Sequence, residues 1–180
     1  MRVIGGEFRS RKLKSLEGLE TRPTPDRMRE TLFNILAPVI EGAVFVDAYA
    51  GTGSVGIEAL SRGAARAVFV ERSRAAVGVI EENLAELRVG GRAEVFASKV
   101  LQVAARVDGD IWFLDPPYEM AAEYGTVLDL LGTRDAALVI VQHSRKLELA
   151  EGYGKLQRYR QVKQGDNLLS FYRTTILSTV

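Results

Sequence analysis

From residue 44 onward the chain alternates short apolar runs with amphipathic helical stretches. That alternation predicts an α/β protein: a mostly parallel sheet covered by helices on both faces. Two further observations support it. A strand, a glycine-containing loop and a helix start follow one another over residues 44–61, the usual cradle of a nucleotide-like ligand. Near the end, 155–163 and 168–175 alternate around Gly165-Asp166-Asn167, which reads as a β-hairpin and predicts an antiparallel sheet edge.

The elements justify themselves in order. Residues 1–20 alternate weakly (Val3, Phe8, Leu13, Leu16) around Gly5-Gly6, consistent with a short hairpin. Thr24-Pro25-Asp26 reads as an N-cap, a proline at the first helical position and an acid in the first turn. Met28, Leu32, Ile35 and Leu36 continue that helix until Pro38. Strands are then expected at 44–47, 66–71, 93–97, 110–114 and 136–142, and helices at 54–62, 73–88, 100–107 and 121–131. Gly90-Gly91 ends the 73–88 helix.

A chain of 180 residues is one domain, large enough to bury a core without staples. The absence of cysteine excludes disulfides and thiolate metal sites, and a single histidine argues against a histidine-based one, so no metal is expected. The longest apolar run, 136–141, is far short of a membrane span, and the N-terminus lacks an apolar signal core. A cytoplasmic protein without membrane partners is therefore expected. The net charge of +1 hides an asymmetry: within residues 1–14 five basic residues (Arg2, Arg9, Arg11, Lys12, Lys14) face one acid, Glu7. Such a local excess is an electrostatic footprint for a polyanion, or else a solvated tail.

Two motifs carry the chemistry. Ile111-Trp112-Phe113-Leu114 is an apolar run halted by Asp115-Pro116-Pro117-Tyr118. The prolines force the chain out of the sheet in an extended direction. The strand end then offers a carboxylate, a Pro116 carbonyl that the following proline has no N–H to engage, and an aromatic ring. Two acceptors beside a flat apolar face suit a planar amine, such as the exocyclic amine of a base. The other motif is Phe45-Val46-Asp47-Ala48-Tyr49-Ala50-Gly51-Thr52-Gly53-Ser54-Val55-Gly56. Gly51, Gly53 and Gly56 spell G-x-G-x-x-G, and Glu71 lies twenty residues after Gly51, so a dinucleotide-binding oxidoreductase competes. Asp47, however, ends the strand four residues before the first glycine. A carboxylate there meets a cationic amino-acid moiety better than a pyrophosphate, and Asp-Pro-Pro-Tyr has no role in hydride transfer.

Together these residues resemble the class I S-adenosylmethionine-dependent methyltransferases. Met1-Arg2-Val3-Ile4-Gly5-Gly6, the stretch from Arg22-Pro23-Thr24-Pro25-Asp26-Arg27-Met28-Arg29 to Asn34, the glycine loop and Asp-Pro-Pro-Tyr resemble the RsmD-type bacterial 16S rRNA guanine-N2 methyltransferases over nearly the whole chain. The resemblance implies a Rossmann-like, seven-stranded sheet in the order 3-2-1-4-5-7-6, with strand 7 antiparallel and a small N-terminal extension. It implies S-adenosyl-L-methionine as methyl donor, S-adenosyl-L-homocysteine as product, and a guanine in small-subunit ribosomal RNA as substrate, within a protein-bound assembly intermediate. Residues 1–38 would form a basic, RNA-contacting extension and 39–180 the catalytic core.

Residue by residue, the resemblance places Asp47, Ala48, Tyr49, Gly51 and Gly53 around the methionine part of the cofactor and Glu71 on its ribose hydroxyls. Ser98 falls at the adenine, where Lys99 cannot accept a hydrogen bond. Asp115 borders the cofactor and, with Pro116, accepts the amine hydrogens of the base, while Tyr118 stacks on its ring. Arg2, Arg9, Arg11 and Lys12 are expected on RNA phosphates, with Arg22, Arg27 and Arg29 nearer the site; Arg27 and Arg29 have an alternative as structural ion pairs with Asp26 or Glu30. His143 reads as a loop or turn residue, and Trp112 as core. Adenine N6 and a glutamine amide are the alternative substrates, and a non-catalytic RNA-binding module is a further alternative.

Overall fold

The structure, a computed structural model, describes residues 1–16, 26–117, 120–134 and 138–174. Eight strands form one sheet: β1 (Val44–Asp47), β2 (Arg66–Glu71), β3 (Ala93–Ala97), β4 (Ile111–Leu114), β5 (Leu138–Ser144), β6 (Gly152–Tyr153), β7 (Leu156–Gln164) and β8 (Asn167–Thr174). Their order is β3-β2-β1-β4-β5-β8-β7-β6. β1 to β5 pair in parallel, and β8 lies antiparallel between β5 and β7. The expected seven strands and order hold except at the edge. There the two-residue β6 pairs with the start of β7 as an eighth strand, too short to leave a periodic signal.

Apolar alternation divides the sheet into two faces. On one, α1 (Asp26–Leu36) and α2 (Ser54–Ser61) bury Met28, Leu32, Phe33, Val55 and Ala59 against Phe45, Phe113, Ile140 and Leu169. α2 and α3 (Arg74–Leu87) also pack Ile57, Leu60, Ile80 and Leu84 on Phe69. On the other face, α4 (Val100–Val103) and α5 (Glu123–Gly132) cover Val46, Trp112, Leu114, Val139 and Val141. Trp112 is core, as expected, at 1% exposure. α4 is one turn, not the two expected over 100–107. The chain turns after Ala104, while Val103 and Val107 still bury their side chains in the core.

Successive connections leave β1 and β4 in opposite directions, so the switch point of this open sheet falls between them. Ligands of such sheets bind outside the carboxyl ends of the strands at that point. Among the described residues, no helix is long and apolar enough to cross a membrane, and no group of three or more His, Cys, Asp or Glu could hold a metal ion.

Candidate active site

The loop leaving β1 is tied to strands on both sides: Ala48 N–H donates to Phe113 O at 3.0 Å and Ala50 N–H to Val70 O at 3.0 Å. It then turns through Gly51 (φ 54°) and Gly53 (φ 82°), conformations that side-chain-bearing residues rarely adopt. Gly56 has a different reason. A Cβ there would lie 2.3 Å from the Phe69 ring, so glycine lets α2 settle on β2. In the first turn of α2 the Gly56 N–H donates to Asp47 Oδ2 at 2.9 Å. Asp47 thus caps the first turn of α2 from the end of β1.

Asp47 is buried, 1% exposed, and its carboxyl is pushed up to about 7. Burial is the largest cause; the Gly56 N–H opposes it, and the nearby charges of Asp115 and Glu71 add to it. The ends of β2 and β4 therefore deliver carboxylates within electrostatic reach of Asp47 at the end of β1. Register explains how Asp47 and Asp115 come together. Asp47 is opposite Phe113, and two residues further along β4 the alternation returns Asp115 to the same face.

Glu71 fastens the glycine loop. Its Oε2 accepts from Gly51 N at 2.8 Å and its Oε1 from Ser73 N at 2.7 Å. Ser98 follows β3, its N–H bonded to Glu71 O at 3.0 Å, and its hydroxyl donates to Gln102 Oε1 at 2.9 Å. Tyr49 donates its hydroxyl to Glu123 Oε2 at 2.9 Å, joining the glycine loop to the first turn of α5. Burial and that bond raise the Tyr49 phenol well above its ordinary range. Ala48 is fully buried and contributes backbone alone, Asp115 is half-buried, and Pro116 is buried. Tyr118 and Arg22 lie outside the described residues, as does the Thr24-Pro25 cap.

Arg2, Arg9, Arg11, Lys12 and Arg27 are exposed. Arg2 pairs antiparallel with Lys12, so residues 1–13 double back as a hairpin arm, with Val3 N–H donating to Arg11 O at 3.0 Å. The arm is not a frayed tail. The fully buried Glu58 of α2 accepts from Ile4 N (2.8 Å), Gly5 N (2.9 Å) and Arg62 Nε (3.0 Å). Asn83 of α3 accepts from Lys14 N (2.8 Å) and donates to Lys14 O (3.2 Å) and Thr52 O (3.5 Å).

For Arg29 the structure replaces the expected phosphate contact with the alternative reading, an ion pair with Asp26. The Arg29 side chain is 0% exposed, with Nη2 donating to Asp26 Oδ1 at 2.7 Å and to Arg2 O at 2.9 Å. It belongs to the interior and binds the arm to α1; it is not a surface phosphate contact. His143 also differs from expectation. It lies within β5, 3% exposed, because β8 extends the pairing past the apolar run. Its Nε2 meets Ser170 Oγ at 2.8 Å and its Nδ1 meets Ser144 O at 3.0 Å, and burial lowers its pKa. Sequence reasoning overlooked Glu58, Asn83, Glu123 and Gln142. Asn83 had a signal, since it falls three residues after Ile80 on the inner side of α3.

Residues 1–173 match the family described as Conserved hypothetical protein 95. YlbH of Bacillus subtilis is 34% identical over 181 residues, covering 96% of this chain and 98% of that protein. Ribosomal RNA small subunit methyltransferase D of Escherichia coli is 46% identical over 120 residues, 66% of this chain and 60% of that protein. Among solved structures, yhhF of Escherichia coli superposes with a TM-score of 0.85 at 34% identity, covering 97% of each chain. An RNA methyltransferase from Salinibacter ruber, solved with S-adenosyl-L-homocysteine, has a TM-score of 0.68 at 18% identity over 86% of this chain and 94% of that one, a likeness of fold. The fold is that of a class I methyltransferase. This chain belongs to the Conserved hypothetical protein 95 family, the RsmD-type methyltransferases.

Proposed function

We propose that this protein transfers the methyl group of S-adenosyl-L-methionine to the exocyclic N2 of a guanine in small-subunit ribosomal RNA. The observation that carries the reading is the placement of Asp47 and Asp115 on one face of adjacent strands at the switch point, within electrostatic reach of each other. One acid faces the cofactor's cationic end and the other faces the acceptor amine. The relatives named for ribosomal RNA small subunit methylation support the substrate class.

The donor set fits this cofactor. Burial first, and then the neighbouring charges of Asp115 and Glu71, disfavour ionised Asp47, and a ligand bearing ammonium and sulfonium charges offsets both. Each Glu71 oxygen bonds one backbone N–H and retains a lone pair for a ribose hydroxyl. When bound, the cofactor supplies an electrophilic methyl group and leaves as S-adenosyl-L-homocysteine. The chain supplies the rest. Asp115 and the Pro116 carbonyl accept the two amine hydrogens, orient the nitrogen and favour the positive charge that grows on it during attack. Tyr118 is the residue proposed to stack on the base. The exposed Arg2, Arg9, Arg11, Lys12 and Arg27 hold phosphates.

The oxidoreductase alternative loses support, because the antiparallel β8 beside β5 departs from the all-parallel 3-2-1-4-5-6 sheet of dinucleotide-binding folds. The test is transfer of isotopically labelled methyl to naked small-subunit RNA and to partly assembled particles, followed by nucleoside analysis. Label in N2-methylguanosine is expected, with the particle as the better substrate. Label in N6-methyladenosine or on protein overturns the reading.

A further inference from the structure

Gln142 lies near the carboxyl end of β5, two residues before Ser144, and none of the chemistry above uses its side chain. The residue is 8% exposed, and its Oε1 is buried with no hydrogen-bond partner among the described residues. Buried polar atoms without partners are rare, and each calls for an explanation such as an absent ligand. Register fixes where it lies. Phe113 of β4 pairs with Ile140 of β5, and both pack in the cluster under α1. Two residues on, alternation sets Asp115 and Gln142 side by side on that same face. Leu169, the β8 partner of Gln142, packs in the same cluster. The strand end is held in place, since the Tyr124 hydroxyl donates to Gln142 O at 2.7 Å.

We infer that Gln142 Oε1 accepts the guanine N1–H while Asp115 and Pro116 hold the N2 amine, which makes Gln142 a specificity residue for guanine over adenine. This rests on the guanine-N2 reading above. On guanine's Watson–Crick edge, N1–H and the N2 amine are adjacent donors. Adenine carries a bare lone pair at N1, which would face the carboxamide oxygen with no hydrogen between them. A single acceptor beside the amine-binding corner thus favours one purine and opposes the other. Because the oxygen is shut away from water, the unmatched contact is costly.

The test uses RNA carrying 2-aminopurine at the target nucleotide, a base that keeps the exocyclic 2-amine and lacks N1–H. Single-turnover methyl transfer is measured on both RNAs, with calorimetric titration of S-adenosyl-L-methionine as the check of folding. Wild type is expected to prefer guanine by roughly 10-fold or more. Gln142→Met, close in shape and without an acceptor, slows guanine methylation and leaves 2-aminopurine nearly unchanged, so the preference shrinks about 10-fold. Gln142→Glu keeps an acceptor and retains the preference. An undiminished preference in Gln142→Met overturns the assignment. Should that variant not bind cofactor, Gln142→Leu, which also lacks an acceptor, takes its place in the same comparison, and an undiminished guanine preference there overturns the assignment. Failure of the guanine-N2 reading looks different, because wild type then leaves guanine unmodified and labels another group.

Discussion

Asp47→Asn is expected to stabilise the ligand-free protein at neutral pH and to cripple cofactor binding. Burial raises the Asp47 carboxyl from an ordinary 3.8 to about 7 in the folded chain. Between those values the folded state holds a proton that the unfolded state has released. Stability is therefore full below about pH 4, declines as pH rises, and levels off above 7. At about 1.4 kcal/mol per tenfold change in proton affinity, ionised Asp47 costs at most about 4 kcal/mol at pH 8. Asparagine keeps an oxygen for the Gly56 N–H and carries no charge, but buries an amide whose unpaired N–H groups cost about 1–3 kcal/mol. The net gain at pH 8 is then about 1–3 kcal/mol, a melting temperature higher by roughly 2–10 °C. Thermal unfolding at pH 5 and pH 8 reads it, and the gap must widen toward pH 8. Binding shows the opposite face of the same acid. A cationic ligand selects ionised Asp47, so wild-type affinity measured by calorimetry falls up to about 100-fold from pH 8 to pH 5. A variant less stable than wild type at pH 8, or a wild-type affinity flat across that range, refutes the reasoning.

The remaining predictions concern the base, the arm and its anchor. Asp115→Ala should retain S-adenosyl-L-methionine binding and lose roughly 100- to 1000-fold in methyl transfer; unchanged turnover on ribosomal RNA excludes catalysis through this carboxylate. Glu58→Ala strips an acceptor from two backbone N–H groups and Arg62, which should cost about 2–4 kcal/mol and open the arm to proteolysis; an unchanged melting temperature and cleavage pattern contradict the anchoring role. Replacing Arg9, Arg11 and Lys12 by glutamine should weaken RNA binding and flatten its salt dependence by roughly one to two charges, with cofactor affinity intact. A salt slope identical to wild type removes the arm from the RNA contact.

Most of the fold was legible because its elements carry strong periodic signals. The runs at 44–47, 66–71 and 111–114 are buried on both faces and stop at turn formers, so their ends could be read almost to the residue. The same clarity placed Asp47, Glu71 and Asp115 at strand ends. What escaped was set by tertiary context. β6 exists because two residues happen to pair with the start of β7, and β5 runs on to Ser144 because β8 lies alongside. For Arg29 two readings stood side by side, an RNA phosphate and an ion pair with Asp26 or Glu30, and its place on the α1 stripe with Phe33 and Leu36 favours the second. Asp26 lies three residues away and was a legible partner, whereas the second acceptor, the Arg2 carbonyl of the arm, is visible only after folding.

The buried polar residues separate by whether their bonding capacity is spent. Glu58 bonds two arm N–H groups and Arg62; Asn83 bonds both backbone groups of Lys14; His143 has both ring nitrogens occupied. A group satisfied in this way holds structure and has little left for a ligand. Asp47 and Gln142 differ. Asp47 has the Gly56 N–H against a burial cost and two neighbouring acids, and Gln142 Oε1 has no partner among the described residues. Arg29 stands between the groups, with Nη2 engaged and Nε and Nη1 unpartnered among the described residues. Natural proteins tolerate such costs where function requires them. Both Asp47 and Gln142 lie on one sheet face, on strands β1 and β5 that flank β4, whose end presents Asp115 between them. Unspent capacity gathered at one end of one face is what a site needs if it is to hold a cation and a nucleobase edge side by side.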